Sequence, residues 1–289
     1  MLVRRWTGGN TLVSITFDQK EDLQFVYELL IKGRDVQQKV SVNEAELTLS
    51  VQVEPYNAKL CYHISQCIVR CVSTIYEKQW MKQILTTKYY YQDKDEIGEI
   101  TAIAKSIGEG NIDELPGAVR YTNRVDLLHR STFSCIEQGG TILFDSYLRF
   151  RTGPYRALLT ELIGEAIDEY KLEQEYQNFI EALRLLLKSR EALQEKVVLV
   201  FDGSYRLYDL SGHKFNGIHE PLDNIPNGLS LEEIDSEILL PLLILAPKEI
   251  YLYTEDSEEG LAQTIRNVFE ERLCVFPLSR VKNFFSGNH

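Results

Sequence analysis

The chain has 289 residues and a formal net charge of −12 at neutral pH. That balance argues against general nucleic-acid binding, which needs a basic surface to neutralise phosphates, and reads most simply as solubility. The longest uncharged apolar run, Ile238 to Pro247, is far short of the ~20 residues that span a bilayer and is interrupted by Pro241, so no membrane insertion is expected. No apolar core follows Arg4 and Arg5 as a secretory signal would require, and five cysteines, an odd number, point to free thiols in a reducing cytoplasm.

Residues Thr11 to Phe17 alternate as a short strand, and Asp18 is placed to cap a helix carrying Leu23, Val26, Leu29 and Leu30 that ends near Gly33. Glu46 to Val53 alternates with Leu47, Leu49, Val51 and Val53 on one side, a half-buried strand closed by Pro55. A long helical pattern runs from Tyr56 to about Tyr91, its stripe marked by Leu60, Ile64, Cys67, Ile68, Cys71 and Ile75. Asp93 to Gly108 is a further helix, and Gly108–Gly117 (GEGNIDELPG) is the best loop signal in the chain. Helical character resumes from Ala118 to Gln138, and Thr141 to Phe150 is expected to be extended.

The stretch from Tyr147 to Arg190 is the most informative. Tyr147–Arg151 is strand-like, Thr152-Gly153-Pro154 turns, and Pro154 suits a first helical position, where its missing N–H costs nothing. The helix that follows buries Tyr155, Leu158, Leu159, Leu162, Ile163, Ala166, Ile167 and Tyr170, then Leu172, Tyr176, Phe179, Ile180, Leu183, Leu186 and Leu187. At about 100° per residue the second stripe is rotated by roughly 110–120° from the first. With neither Pro nor Gly between Tyr170 and Arg190, one continuous helix with two buried faces is expected, a beam joining an N-terminal to a C-terminal part.

After Glu195 the period becomes two. Val197–Phe201 and Tyr205–Tyr208, around Asp202-Gly203-Ser204, predict a hairpin. His213 to Gly228 reads as loop. Ser230 with Glu233 forms a capping box for a helix over Leu231–Leu245. Glu249–Tyr253, Ser257–Glu271 and Leu273–Phe276 then read as strand, helix and strand, a parallel pair with a crossover helix.

The order RFR, a few residues, Tyr155, a long amphipathic helix with AIDEY, and then EYQNFI with a leucine-rich turn resembles the YtxC-like family, with Leu245–Tyr253 (LAPKEIYLY) as a secondary match. The chain departs from the family pattern in a short N-terminal extension and in Lys171 before the EYQ motif. The resemblance implies a role associated with endospore formation in Firmicutes. It carries no catalytic residues across, because the family has no assigned activity.

Among candidate sites, His63, Cys67 and Cys71 are spaced i, i+4, i+8 with Cys61 nearby, a spacing that could supply part of a zinc or redox site. They share the apolar stripe with Leu60 and Ile64, where free cysteine packs as a small apolar residue, and no metal or cofactor is expected. Arg120, Arg124 and Arg130, with His129, lie on one helical stretch, and Arg149, Arg151 and Arg156 surround the turn at Thr152. Brought together, these guanidinium groups would form a pocket for phosphate, a nucleotide or an acidic partner. The competing reading pairs them with Glu161, Glu165, Asp168, Glu169, Glu173 and Glu175. Glu165 with Glu169 shares a helix face at i, i+4, but no Glu-x-x-His motif supports a metal there. Thr254–Ser257 follows a strand, where ligands bind in open parallel sheets, yet no glycine-rich phosphate loop or nucleophile elbow accompanies it.

These residues predict a helix-rich α+β protein with an N-terminal β-α-β module (1–113), a central helical region (114–195), and a C-terminal hairpin plus small βαβ unit (196–289). The function expected is a non-enzymatic accessory factor that binds a protein partner through Arg149, Arg151 and Tyr155, with Arg120, Arg124, Glu175 and Tyr176 as further binding residues and Leu172, Tyr176 and Phe179 as a face. The alternative is a sensor or enzyme that holds a phosphorylated small molecule in the arginine cluster.

Overall fold

The computed structural model describes residues 11–33, 36–54, 57–111, 118–137, 139–215, 229 and 234–282. The fold is α+β and helix-rich, and the chain forms two compact units, Met1–Lys171 and Leu172–His289.

In the first unit, β1 (Thr11–Thr16) lies between β3 (Thr48–Val53) and β4 (Gly140–Leu143), and β2 (Val40–Asn43) flanks β3, giving the order β2-β3-β1-β4. β1 pairs antiparallel with β3 and parallel with β4. Val13, Ile15, Leu49, Val51 and Val53 all point to one fully buried face, as their period of two dictates. The other face is polar, with the hydroxyls of Ser14 and Ser50 at 2.9 Å and of Thr16 and Thr48 at 3.1 Å across the strands.

Helix α1 (Lys20–Leu30) covers the apolar face with Leu23, Val26 and Leu30 and packs against α2 (Ala58–Cys71). Its N-cap is Gln19, without a side-chain bond, rather than Asp18. The long helical pattern is confirmed from Ala58 to Thr87 but holds one π-helical turn, Val72–Tyr76, between α2 and α3 (Glu77–Thr87). The N–H of Glu77 bonds to the Val72 carbonyl there, five residues back. Asn57 caps α2, and Asp93 caps α4 (Lys94–Glu109) by accepting from the N–H groups of Asp95 and Glu96. Gly110, at φ 78°, ends α4 in the left-handed conformation that glycine adopts without steric cost. Of the GEGNIDELPG loop, residues 112–117 lie outside the described residues, as does Pro55. The Ala118–Gln138 pattern divides into α5 (Ala118–Thr122) and α6 (Arg124–Glu137), and α6 packs on α2.

The extended reading of Thr141–Phe150 is corrected. β4 occupies Gly140–Leu143 only, and α7 (Phe144–Phe150) follows at once, so Tyr147–Phe150 is helical and not strand. The buried residues Phe144, Tyr147 and Leu148 sit at i, i+3 and i+4, the helical spacing, which outweighs the β propensity of the aromatic side chains.

Helix α8 runs unbroken from Gly153 to Lys188. Tyr155, Leu159, Leu162, Ile163, Ala166 and Ile167 belong to the first core, and Ile180, Leu183, Leu186 and Leu187 to the second, while residues 171–175 between them are all exposed. Leu172, expected in the second stripe, is 61% exposed.

In the second unit, β5 (Lys196–Phe201) and β6 (Tyr205–Tyr208) form the expected hairpin, within a sheet of order β6-β5-β7-β8. β7 (Glu249–Tyr253) and β8 (Leu273–Phe276) run parallel to each other, and β5 runs parallel to β7. The crossover helix α10 (Gly260–Phe269) is shorter than expected because Glu259 caps it through Leu261 and Ala262. The helix expected over Leu231–Leu245 is α9, Leu239–Leu245. Asp235 accepts from the N–H groups of Ile238 and Leu239 and sets its start, while the capping-box residues Ser230 and Glu233 lie outside the described residues. Among the described residues, no helix is long and apolar enough to cross a membrane.

Leu162→Ala and Leu183→Ala each remove a fully buried side chain and should cost about 2–5 kcal/mol. Leu172→Ala should stay within about 0.5 kcal/mol. Denaturant midpoints of the three variants measure both effects.

Candidate functional site

The residues singled out from the sequence fall into three places. The first is a buried ionic cluster. Glu77, the first residue after the π-helical turn, faces Arg124 at the start of α6, with Nη2 of Arg124 2.8 Å from the carboxylate and both residues 8% exposed. Nη1 of Arg124 donates to the carbonyls of Gly108 at 2.7 Å and Tyr121 at 2.9 Å. Tyr155, 1% exposed, donates its phenol proton to the other Glu77 oxygen. The cluster joins α3, α4, α6 and α8. It leaves no room at residue 108, where an added Cβ would stand 2.8 Å from Arg124 Nη1. Burial and then the Glu77 charge push the Tyr155 hydroxyl well up. Burial pulls Arg124 down, but its bond and charge interaction with Glu77 win, so its pKa is raised.

Around this cluster, Trp80 packs edge-on against Tyr155 with ring centroids 6.2 Å apart, and the Arg156 guanidinium lies 5.3 Å over the Trp80 ring. Arg120 reaches Glu161 at 3.4 Å and Glu165 at 3.5 Å on α8, the acid pairing that stood as the competing reading, with all three side chains substantially exposed.

The second place is the turn from α7 into α8. Thr152 is fully buried, donates to the Leu148 carbonyl at 2.6 Å, and accepts the Arg156 N–H at 2.9 Å. That clamp directs Tyr155 inward and leaves its neighbours outside. Arg149 pairs with Asp145 on its own helix at 2.9 Å. Arg151 is exposed and has no ion pair among the described residues, and Phe150 is 78% exposed. Phe150 and Arg151 line a shallow cleft of about 380 Å³ with Cys135, Thr141, Leu143 and Tyr147, directly along strand β4. The third place is in the second unit, where Tyr176 is half-buried and accepts from Asn267 at 3.0 Å, while Glu175 is exposed.

Arg120, Arg124 and Tyr155 therefore face acids of α3 and α8, Arg149 and Arg151 stand at the end of α7, and Glu175 and Tyr176 belong to the other unit. Cys67 and Cys71 sit in the core, their thiols pushed up by burial to about 11 and about 12. Among the described residues, no three His, Cys, Asp or Glu side chains come together to hold a metal. Glu77, Trp80 and Phe150 were not anticipated from the sequence. Glu77 reads as one more acid on a helix, and only the π-helical turn before it signals an unusual position.

The family model for the YtxC-like family matches residues 62–274, and this chain is 31% identical over 271 residues to "Uncharacterized protein YtxC" of Bacillus subtilis (strain 168), covering 92% of this chain and 95% of that relative. The chain belongs to the YtxC-like family. No solved structure matches it. The matched range takes in the whole ionic cluster and the α7–α8 turn, but not β1, α1 or β3.

Beside the π-helical turn, Asp22 is 4% exposed and accepts from the Tyr76 hydroxyl. Burial raises its pKa above the ordinary 3.8, more than the Tyr76 bond lowers it. A raised folded value means that the protonated form favours folding. This contribution is complete below 3.8 and lost as pH rises through the folded value. As pH rises above about 4, wild type should therefore lose stability relative to Asp22→Asn, read as diverging denaturant midpoints. Parallel midpoints would show that Asp22 titrates normally.

Proposed function

We propose that this chain is a non-enzymatic, cytoplasmic accessory factor of spore formation that captures an extended segment of a partner protein along strand β4 and the α7–α8 turn. The observation that carries this reading is the state of β4. It is the last strand of its sheet, its residues 140, 141 and 143 are exposed, and its sequence Gly-Thr-Ile-Leu has neither a charge nor a proline to guard the edge. Unguarded edges are templates for an added strand. The opposite edge, β2, is flanked by the ion pairs Lys39–Glu54 and Lys20–Glu44.

Beside the β4 edge stand the side-chain types that dominate binding energies, an exposed aromatic and an arginine. Leu143 at 56% and Phe150 at 78% exposed would meet apolar side chains of the incoming segment, and Arg151 would take a carboxylate on it. Tyr155, the residue that anchors the family resemblance, positions this surface from within and does not touch the partner. The spore-formation context comes from the family resemblance, and the binding mode from the edge.

The test is affinity capture from sporulating cells, followed by reconstitution with the purified partner. Thr141→Lys, Phe150→Ala and Arg151→Glu change exposed positions and should each fold. Each should weaken the reconstituted complex at least about tenfold, a change of about 1.4 kcal/mol. Unchanged capture and unchanged spore yield in the triple variant would reject the reading.

A further inference from the structure

A second cleft in the first unit lies elsewhere, between the end of α1, one face of α2 with the π-helical turn, and α6. It measures about 610 Å³, within the size range of small-ligand pockets. Among the described residues its polar lining includes Lys32, His63, Arg70 and His129, with the hydroxyls of Ser73 and Thr74, and no carboxylate. In a chain with 43 acidic against 31 basic residues, a cleft lined among the described residues by four basic side chains and no acid is unexpected. Lys32 and Arg70 make no ion pair among the described residues, so neither charge is already neutralised by a carboxylate there. Glu28 and Asp126, carboxylates on the flanking helices, do not line the cleft, and Glu28 accepts from Gln24 instead.

The two histidines are held rather than loose. Nε2 of His63 lies 3.3 Å from the Leu30 carbonyl, a contact that makes this nitrogen the donor, and packs so closely over Gly33 that an added Cβ there would stand 2.7 Å away. His129 stacks on Tyr62 with centroids 5.7 Å apart, and its Nδ1 lies 3.5 Å from the Ser65 hydroxyl. His63 and Arg70 are seven residues apart, two helical turns on one face. The π-helical turn, a feature frequent at functional sites, then brings consecutive Ser73 and Thr74 to the same cleft.

We propose that this cleft binds the phosphate group of a small soluble phosphorylated compound. A phosphomonoester carries close to two negative charges and three acceptor oxygens near neutral pH. Lys32 and Arg70 supply the compensating charge, and Thr74 and the His129 ring supply further donors, while the Ser73 hydroxyl donates to the Arg70 carbonyl at 3.3 Å and His63 to that of Leu30. The cleft shares no lining residue with the β4 surface, so the two sites stand or fall separately.

The experiment is calorimetric titration of the full chain with pyrophosphate and with glycerol phosphate, at low and high salt, against acetate as control. Arg70→Gln, Lys32→Glu and the double variant probe the cleft. Arg130→Glu, an exposed arginine on α6 outside the lining, is the control. The expected result is saturable binding of a phosphate probe and not of acetate, weakened by salt, reduced at least tenfold by each cleft variant and unchanged by Arg130→Glu. No saturable binding, or binding undiminished in the folded double variant, overturns the proposal. So does sedimentation with phosphatidic-acid vesicles without any response to the free probes, because the phosphate recognised would then be a lipid headgroup. Loss of partner capture in the β4 variants with phosphate binding intact would leave this inference standing.

Discussion

The first unit depends on one constraint: a charged arginine held in the interior. Arg124 and Glu77 are both nearly inaccessible to water, and taking two such charges out of solvent costs several kcal/mol before their attraction returns any of it. A buried pair of this kind is a poor source of net stability. Its geometric demand is strict, because removing or misplacing either partner strands the other charge in the interior. Here each guanidinium and carboxylate bond selects a neighbour. Gly108 fixes where α4 ends, Tyr121 fixes the step between α5 and α6, and Tyr155 fixes the rotation of α8.

The outer surface follows from that inner arrangement. With Tyr155 turned into the cluster and Thr152 buried one turn earlier, the last residue of α7, Phe150, and its C-cap, Arg151, face outward. The same helix that begins in the ionic cluster continues through an exposed segment and contributes Ile180, Leu183, Leu186 and Leu187 to the core of the second unit. The family motif therefore mixes residues with opposite destinations. Its arginine at 149 and phenylalanine at 150 are at the surface, its tyrosine at 155 is internal, and its tyrosine at 176 belongs to another core.

Much of the fold was legible in the sequence for identifiable reasons. The strands Glu249–Tyr253 and Leu273–Phe276 were correct to the residue, because short apolar runs between turn signals leave few alternatives. The continuity of α8 followed from the absence of Pro and Gly between Tyr170 and Arg190. The errors have physical causes as well. The extended reading of α7 misses the helical spacing of Phe144, Tyr147 and Leu148, which is too short a stretch to stand out beside a strand-like run. The Ser230/Glu233 capping box places the start of α9 at Leu231, whereas Asp235 caps it at Leu239, and LLPLLIL, apolar all round, gives no period that would separate the two starts. β2, only four residues long with an exposed face, gave no pattern. At the site, the arginines are visible as a set and Glu161 and Glu165 as partners for Arg120, but the partner of Arg124 is not. Glu77 lies 47 positions from Arg124 and 78 from Tyr155, and such pairings depend on how helices pack rather than on spacing along any one of them.

The most direct measurement is a double-mutant cycle between Glu77 and Tyr155. Tyr155→Phe and Glu77→Gln each disturb one side of the hydrogen bond while keeping shape, and denaturant midpoints of the two single variants and the double give the coupling. The account predicts strong non-additivity, on the order of 0.5–3 kcal/mol, because either change alone disrupts the buried ionic network. Effects that add within about 0.5 kcal/mol would contradict it. Tyr155 would then be independent of Glu77, and the inward lock that turns Phe150 and Arg151 to the surface would lose its basis.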